Sequence, residues 1–135
     1  EEKWLLEQTH DAREHIRVWA IKLLNDSDAP SKAALKRFVK MAKTDTAGLV
    51  QLELASTLQL LPHNKRWPLA TALVSHDIFA NDPVLPLMVW YGINPAVPEN
   101  RAEALKLIGK CKIPKVRQFI ARRLAGKSGR AEDKQ

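Results

Sequence analysis

Four short apolar segments recur along the chain in a common register. They are Ile16-Arg17-Val18-Trp19, Val50-Gln51-Leu52-Glu53, Val84-Leu85-Pro86-Leu87 and Val116-Arg117-Gln118-Phe119, and their first residues stand 34, 34 and 32 positions apart. The register persists downstream through Ile21, Ala55 and Ala121, then through Leu24, Leu58 and Leu124. A second series, Val39, Leu73 and Leu107, runs between them at the same spacing of 34. Self-similarity at this period is the signature of a repeat architecture. Two helix-sized segments per period predict an all-α fold: an α-α superhelix of HEAT/armadillo-like repeats, about 3.5–4 helix pairs or 7–8 helices.

Residues at the segment ends turn these periods into helices. An inner helix over about residues 11–24 stops at Asn25-Asp26-Ser27-Asp28, side chains that compete for backbone hydrogen bonds and favour turns. Pro30-Ser31 opens an outer helix over 31–43 with Ser31 as N-cap. Its apolar residues Ala34, Leu35, Phe38, Val39 and Ala42 form one stripe, and Lys32, Lys36, Arg37, Lys40 and Lys43 cover the opposite side. Further helices are predicted over 46–61, 66–75, 83–93, 100–110 and 114–125, with Pro68 tolerated in a first turn and Asn100 as a cap. Residues 84–93 are apolar nearly all round, which predicts a helix surrounded by others. The expected organisation is a single repeat domain over 1–125 and a flexible polar tail over 126–135.

Composition narrows the classes. The single cysteine, Cys111, excludes an intrachain disulfide and a cysteine-based zinc site. The longest apolar stretch, 84–93, is too short for a membrane span. Residues 1–6 have an acidic flank and no following apolar region, unlike a signal peptide. They read as the interior of a helix, so the chain is expected to be excised from a longer protein. The net charge of +7 is uneven: residues 67–100 carry no Lys or Arg and three acids, while residues 101–135 carry eleven bases and three acids. The third quarter is therefore the expected centre of the core, flanked by basic surfaces.

One spacing carries more information than composition. Asp11 and Arg17 lie six residues apart, which resembles the Asp/Arg pair that links neighbouring HEAT repeats. Asp45 and Gln51 repeat the spacing with the base replaced, Cys111 and Arg117 with the acid replaced, and the third repeat has neither. A capping acid beside a solvated arginine is the plainer alternative.

Candidate chemistry is sparse. His10 and Glu14 share a helix face but His15 points about 100° away, and two groups do not make a zinc site. His76, Asp77 and Asp82 lie in a cap-rich linker, where Asp82 reads as an N-cap, and no nucleophile accompanies them. Trp19, Trp90 and Tyr91 are expected in packing roles, Trp4 and Trp67 half exposed. Lys110, Lys112, Lys115, Arg117, Arg122, Arg123, Lys127 and Arg130 gather near the C-terminus, the electrostatic footprint of nucleic-acid binding. Against that reading, the lysines of 32–43 sit on an outer helix, and only Phe119 is interleaved with the C-terminal bases.

A longer stretch resembles a known family. His76-Asp77, then Asp82-Pro83-Val84-Leu85-Pro86-Leu87-Met88-Val89-Trp90-Tyr91, is similar to the HEAT-like region of a membrane-bound dehydrogenase family of planctomycetes and verrucomicrobia. Residues 17–24, 51–61 and 116–124 look like the same region, so the resemblance covers about residues 11–125. Members of that family combine a β-propeller-like domain, the helical region and a c-type haem domain. The chain lacks the Cys-x-x-Cys-His of the haem domain, so none of that redox chemistry transfers to a residue here. The resemblance implies a connector in an exported protein, periplasmic or membrane-associated. The expected function is a non-catalytic helical-repeat scaffold, without cofactor or metal, contacting other domains of the parent protein or a protein partner. Its candidate interaction surface is Arg17, Gln51, Arg117, Arg122 and Arg123. The alternative is a basic HEAT-like nucleic-acid-binding domain.

Overall fold

In the computed structural model, residues 1–26 and 29–133 are described, with side chains described as far as Gly126. Among the described residues the fold is all-α. Eight α-helices follow in order: α1 (Glu2–Gln8), α2 (Glu14–Leu24), α3 (Lys32–Thr44), α4 (Gly48–Thr57), α5 (Trp67–Leu73), α6 (Leu85–Ile93), α7 (Arg101–Lys110) and α8 (Pro114–Asp133). Short 3-10 turns at Leu58–Leu60, His63–Lys65 and Asn94–Ala96 join them.

The helices form two layers. In one layer α2 packs on α4, α4 on α6 and α6 on α8; in the other α3 packs on α5 and α5 on α7. Sequence neighbours α1 and α2, α3 and α4, and α7 and α8 pair across the layers. The periodic apolar positions meet between the layers: Phe38 and Met41 of α3, Leu54 of α4, Leu69 and Leu73 of α5 and Leu107 of α7 are fully buried. Burying each such side chain contributes about 1.5–3 kcal/mol relative to leaving it in water.

Local chemistry sets the helix ends. Ser31 Oγ accepts from Ala34 N–H at 3.1 Å, and Asn100 Oδ1 from Glu103 N–H at 3.1 Å. Each satisfies one of the N–H groups that a first helical turn leaves without a partner. Where α4 and α6 cross, a Cβ built on Gly92 would lie 2.6 Å from Leu58 Cβ, so glycine is what lets the two helices approach. The buried guanidinium of Arg66 holds the same junction, with Nη1 donating to Gly92 O at 2.6 Å and Nε to Leu61 O at 2.9 Å. Desolvation there lowers its pKa.

Four expectations need correction. Residues 84–93 are not surrounded: Val84 is 46% and Tyr91 55% exposed, because only the α5 side and the lateral neighbours cover α6. Trp67 is buried at 4% exposure, since its ring enters the core from the first turn of α5. Arg37 is half-buried instead of solvated, with Nε donating to Thr9 Oγ1 at 2.9 Å and Nη2 to Thr9 O at 3.2 Å. Finally, α8 runs to Asp133, past the end expected near residue 125, because no proline interrupts it.

Candidate functional site

The six-residue spacing has a geometric meaning. Asp45 and Cys111 are the residues that close α3 and α7, where the last helical carbonyls lack intrahelical donors. Gln51 Nε2 reaches back from α4 to Asp45 O at 2.8 Å and Ala42 O at 3.1 Å. Arg117 Nη1 reaches back from α8 to Cys111 O at 3.0 Å. Arg17 Nη1 does the same from α2, to Asp11 O at 2.9 Å and Ala12 O at 3.0 Å. In each case a long donor one turn into an inner-layer helix satisfies the carbonyl six residues earlier and fixes the turn between the two layers.

Arg17 also links one helix pair to the next. Its Nε donates to Asp45 Oδ2 at 2.8 Å and its Nη2 to Asp45 Oδ1 at 3.0 Å, a bidentate pair with both side chains mostly buried. The Asp45 carboxylate raises the Arg17 pKa. Asp11, the acid nearer in sequence, pairs with Arg13 instead at 2.9 Å, and that contact lowers its carboxyl to about 2.

The third repeat replaces the donor and acid with Leu85 and Phe79. Phe79 lies against Gly48, where an added Cβ would come within 3.4 Å of its ring. His76 Nε2 donates to Ala42 O at 3.0 Å, so the imidazole docks the 74–84 loop on the end of α3. The N-cap position of α6 falls on Val84 and not on Asp82. Asp82 Oδ2 still accepts from Leu85 N–H at 2.7 Å and Val84 N–H at 2.9 Å, capping the helix start from two residues upstream. Those two bonds, the Leu85 one foremost, hold its carboxyl below the usual range.

The expected surface residues separate into two groups. Gln51 is fully buried and Arg17 is partly buried, and the Gln51 amide Nε2 and the Arg17 guanidinium hold turns inside the fold. Arg117 and Arg122 are exposed on α8, and Arg123 is half-buried. The inner layer also exposes large apolar side chains, Trp19 at 45%, Leu49 at 56%, Val84 at 46% and Tyr91 at 55%, all on the α2, α4 and α6 side. Trp4 meets Trp19 edge to face at 6.1 Å, and Trp90 stacks on Phe119 at 5.5 Å. The sequence signal for this face was present in the all-apolar run 84–93, which reads equally as a buried helix. Among the described residues no group of three His, Cys, Asp or Glu side chains gathers, and no helix is long and apolar enough to cross a membrane.

The architecture defines an all-α protein of packed helices that exposes apolar side chains on α2, α4 and α6. No family model, curated protein or solved structure matches the chain.

Proposed function

We propose that the chain is a HEAT-like helical-repeat scaffold that acts as a protein-interaction module and has no catalytic role. The observation that carries the reading is the exposure of Trp19, Leu49, Val84 and Tyr91 on the inner-layer side, with Leu49 and Val84 lining one groove. Exposed apolar surface on one face marks a contact site for another protein. The repeat type is supported by the donor-to-carbonyl bracket recurring at Arg17, Gln51 and Arg117, and by the Arg17–Asp45 link between pairs. The resemblance of residues 76–91 supports placing the module as the connector of a multidomain exported dehydrogenase-like protein, periplasmic or membrane-associated.

The test is site-specific photo-cross-linking in the source cell, from a benzophenone side chain at Tyr91 and, as an outer-layer reference, at Leu105. Discrete protein adducts from Tyr91 and none from Leu105 are expected. Adducts from Leu105 alone, or from neither position, refute the inner-face reading. A reading frame with a propeller upstream and Cys-x-x-Cys-His downstream tests the family assignment.

A second reading is favoured by the exposed cluster of Lys110, Lys112, Lys115, Arg117 and Arg122 at the α7–α8 end. It makes the chain a nucleic-acid binder whose affinity falls steeply with salt. Absence of duplex binding at low salt removes it.

A further inference from the structure

A groove opens where α2, α4 and α6 begin. Its floor is Leu49 and Leu52 of α4, Leu85 of α6, Val84 and Phe79, and its volume is about 360 Å³. That size is within the roughly 300–1,000 Å³ of ligand and side-chain pockets. Leu49 and Leu52 also wall an adjoining depression beside Val18 and Lys22, so the apolar floor continues across to α2.

Two carboxylates line the groove, Glu14 and Asp82, and no basic side chain does. The Glu14 carboxylate makes no hydrogen bond or ion pair among the described residues. Asp82 uses Oδ2 to cap α6, leaving Oδ1 without a hydrogen bond among the described residues. On a chain of net charge +7, this is a local acidic spot with an apolar floor.

We infer that the groove docks a peptide segment of a protein partner that presents an apolar side chain next to a lysine or arginine. The apolar group fills the space over Leu49 and Val84, and the cation takes the open carboxylate oxygens at the rim. Charge complementarity fixes the choice of partner: an acidic segment would meet the two carboxylates of Glu14 and Asp82, whereas a cationic one is attracted by them and repelled by the basic surfaces elsewhere on the chain. The inference rests on the scaffold reading and specifies where and what that scaffold binds.

The test uses the whole chain and three fluorescein-labelled peptides, one of alternating leucine and lysine, one with glutamate for lysine, and one with glycine for leucine. Anisotropy is measured on the wild type and on Leu49→Ser, Glu14→Lys and Leu105→Ser, all changes at exposed positions, with circular dichroism confirming the fold. The Leu/Lys peptide is expected to bind best, weakened about tenfold or more by Leu49→Ser and by Glu14→Lys and unchanged by Leu105→Ser, a loss of about 1.4 kcal/mol or more. Tighter binding of the Leu/Glu peptide, equal affinity for all variants, or no binding overturns the inference. Cross-links from Tyr91 that persist alongside such a result reject this groove while retaining the scaffold.

Discussion

Replacing Gly92 by alanine adds one methyl group at the α4–α6 crossing, and its effect is the difference of two opposed terms. Alanine is a better helix former than glycine, worth up to about 1 kcal/mol. The new Cβ, however, would lie 2.6 Å from Leu58 Cβ and 2.7 Å from Leu58 Cδ1. A rotamer change can move Cδ1, but Cβ is fixed to the backbone, so α6 must shift as a body. That shift also lengthens the Arg66 bond to Gly92 O. Overpacking of this kind costs about 1–3 kcal/mol. Because the 2.6 Å contact is with an atom that cannot rotate away, the upper part of that range applies. After the gain of about 1 kcal/mol in propensity, the net destabilisation is up to about 2 kcal/mol. For a chain of this length each kcal/mol corresponds to roughly 3–5 °C in Tm. Gly109→Ala is the internal reference, because a Cβ there meets nothing within 4 Å, and its Tm should rise by a few degrees. Adding Leu58→Ala to Gly92→Ala should not restore stability, since it removes Cδ1 and keeps Cβ. Thermal unfolding followed by circular dichroism reads all three. A Gly92→Ala protein as stable as the wild type would refute the close-crossing argument.

Three further predictions follow from the turns. Gln51→Leu leaves the Asp45 carbonyl without its donor inside the fold, so urea unfolding should show a loss of about 1–3 kcal/mol; an unchanged midpoint would remove the bracket. A double-mutant cycle on Arg17→Ala and Asp45→Ala should give a coupling of about 1–2 kcal/mol, and additive effects would mean that the pair does not link the helix pairs. Asp82 is held below the ordinary carboxylate range by the N–H groups of Leu85 and Val84. A carboxyl with a depressed folded-state pKa stabilises fully above its unfolded value and loses that contribution as pH falls through the folded one. Between about pH 5 and pH 2, Tm of the wild type should therefore fall more steeply than that of Asp82→Asn, which keeps a cap acceptor without the charge. Parallel profiles would contradict the assignment.

The helices were legible because their apolar stripes, caps and turn formers agree, as at Ser31, Asn100 and Pro68. The six-residue spacing was legible as a motif but not as a geometry. Its acceptor in all three cases is a main-chain carbonyl, which leaves no trace in side-chain identity, so Asp45–Gln51 and Cys111–Arg117 looked like decayed copies of an acid–base pair. Exposure of the inner layer was hidden for a different reason. An apolar helix such as 85–93 has the same pattern whether a third layer covers it or a partner is meant to, and only the arrangement of neighbours tells them apart. Trp67 misled in the opposite direction, since a helix start can dip into the core as readily as it can emerge.

The donor brackets also make the connections of the stack unequal hosts for extra sequence. A side chain of fixed reach ties α3 to α4 and α7 to α8 across Asp45–Ala47 and Cys111–Ile113, so a single inserted residue there would pull donor and carbonyl apart. The connection from α5 to α6 is long, and it is the one whose bracket positions are Phe79 and Leu85. The 58–66 connection carries a tether of another kind, since the buried Arg66 guanidinium donates back through Nε to Leu61 O at 2.9 Å. Loop grafts, affinity tags and split points should therefore be accepted in the 74–84 loop, and rejected at the two short turns and in 58–66.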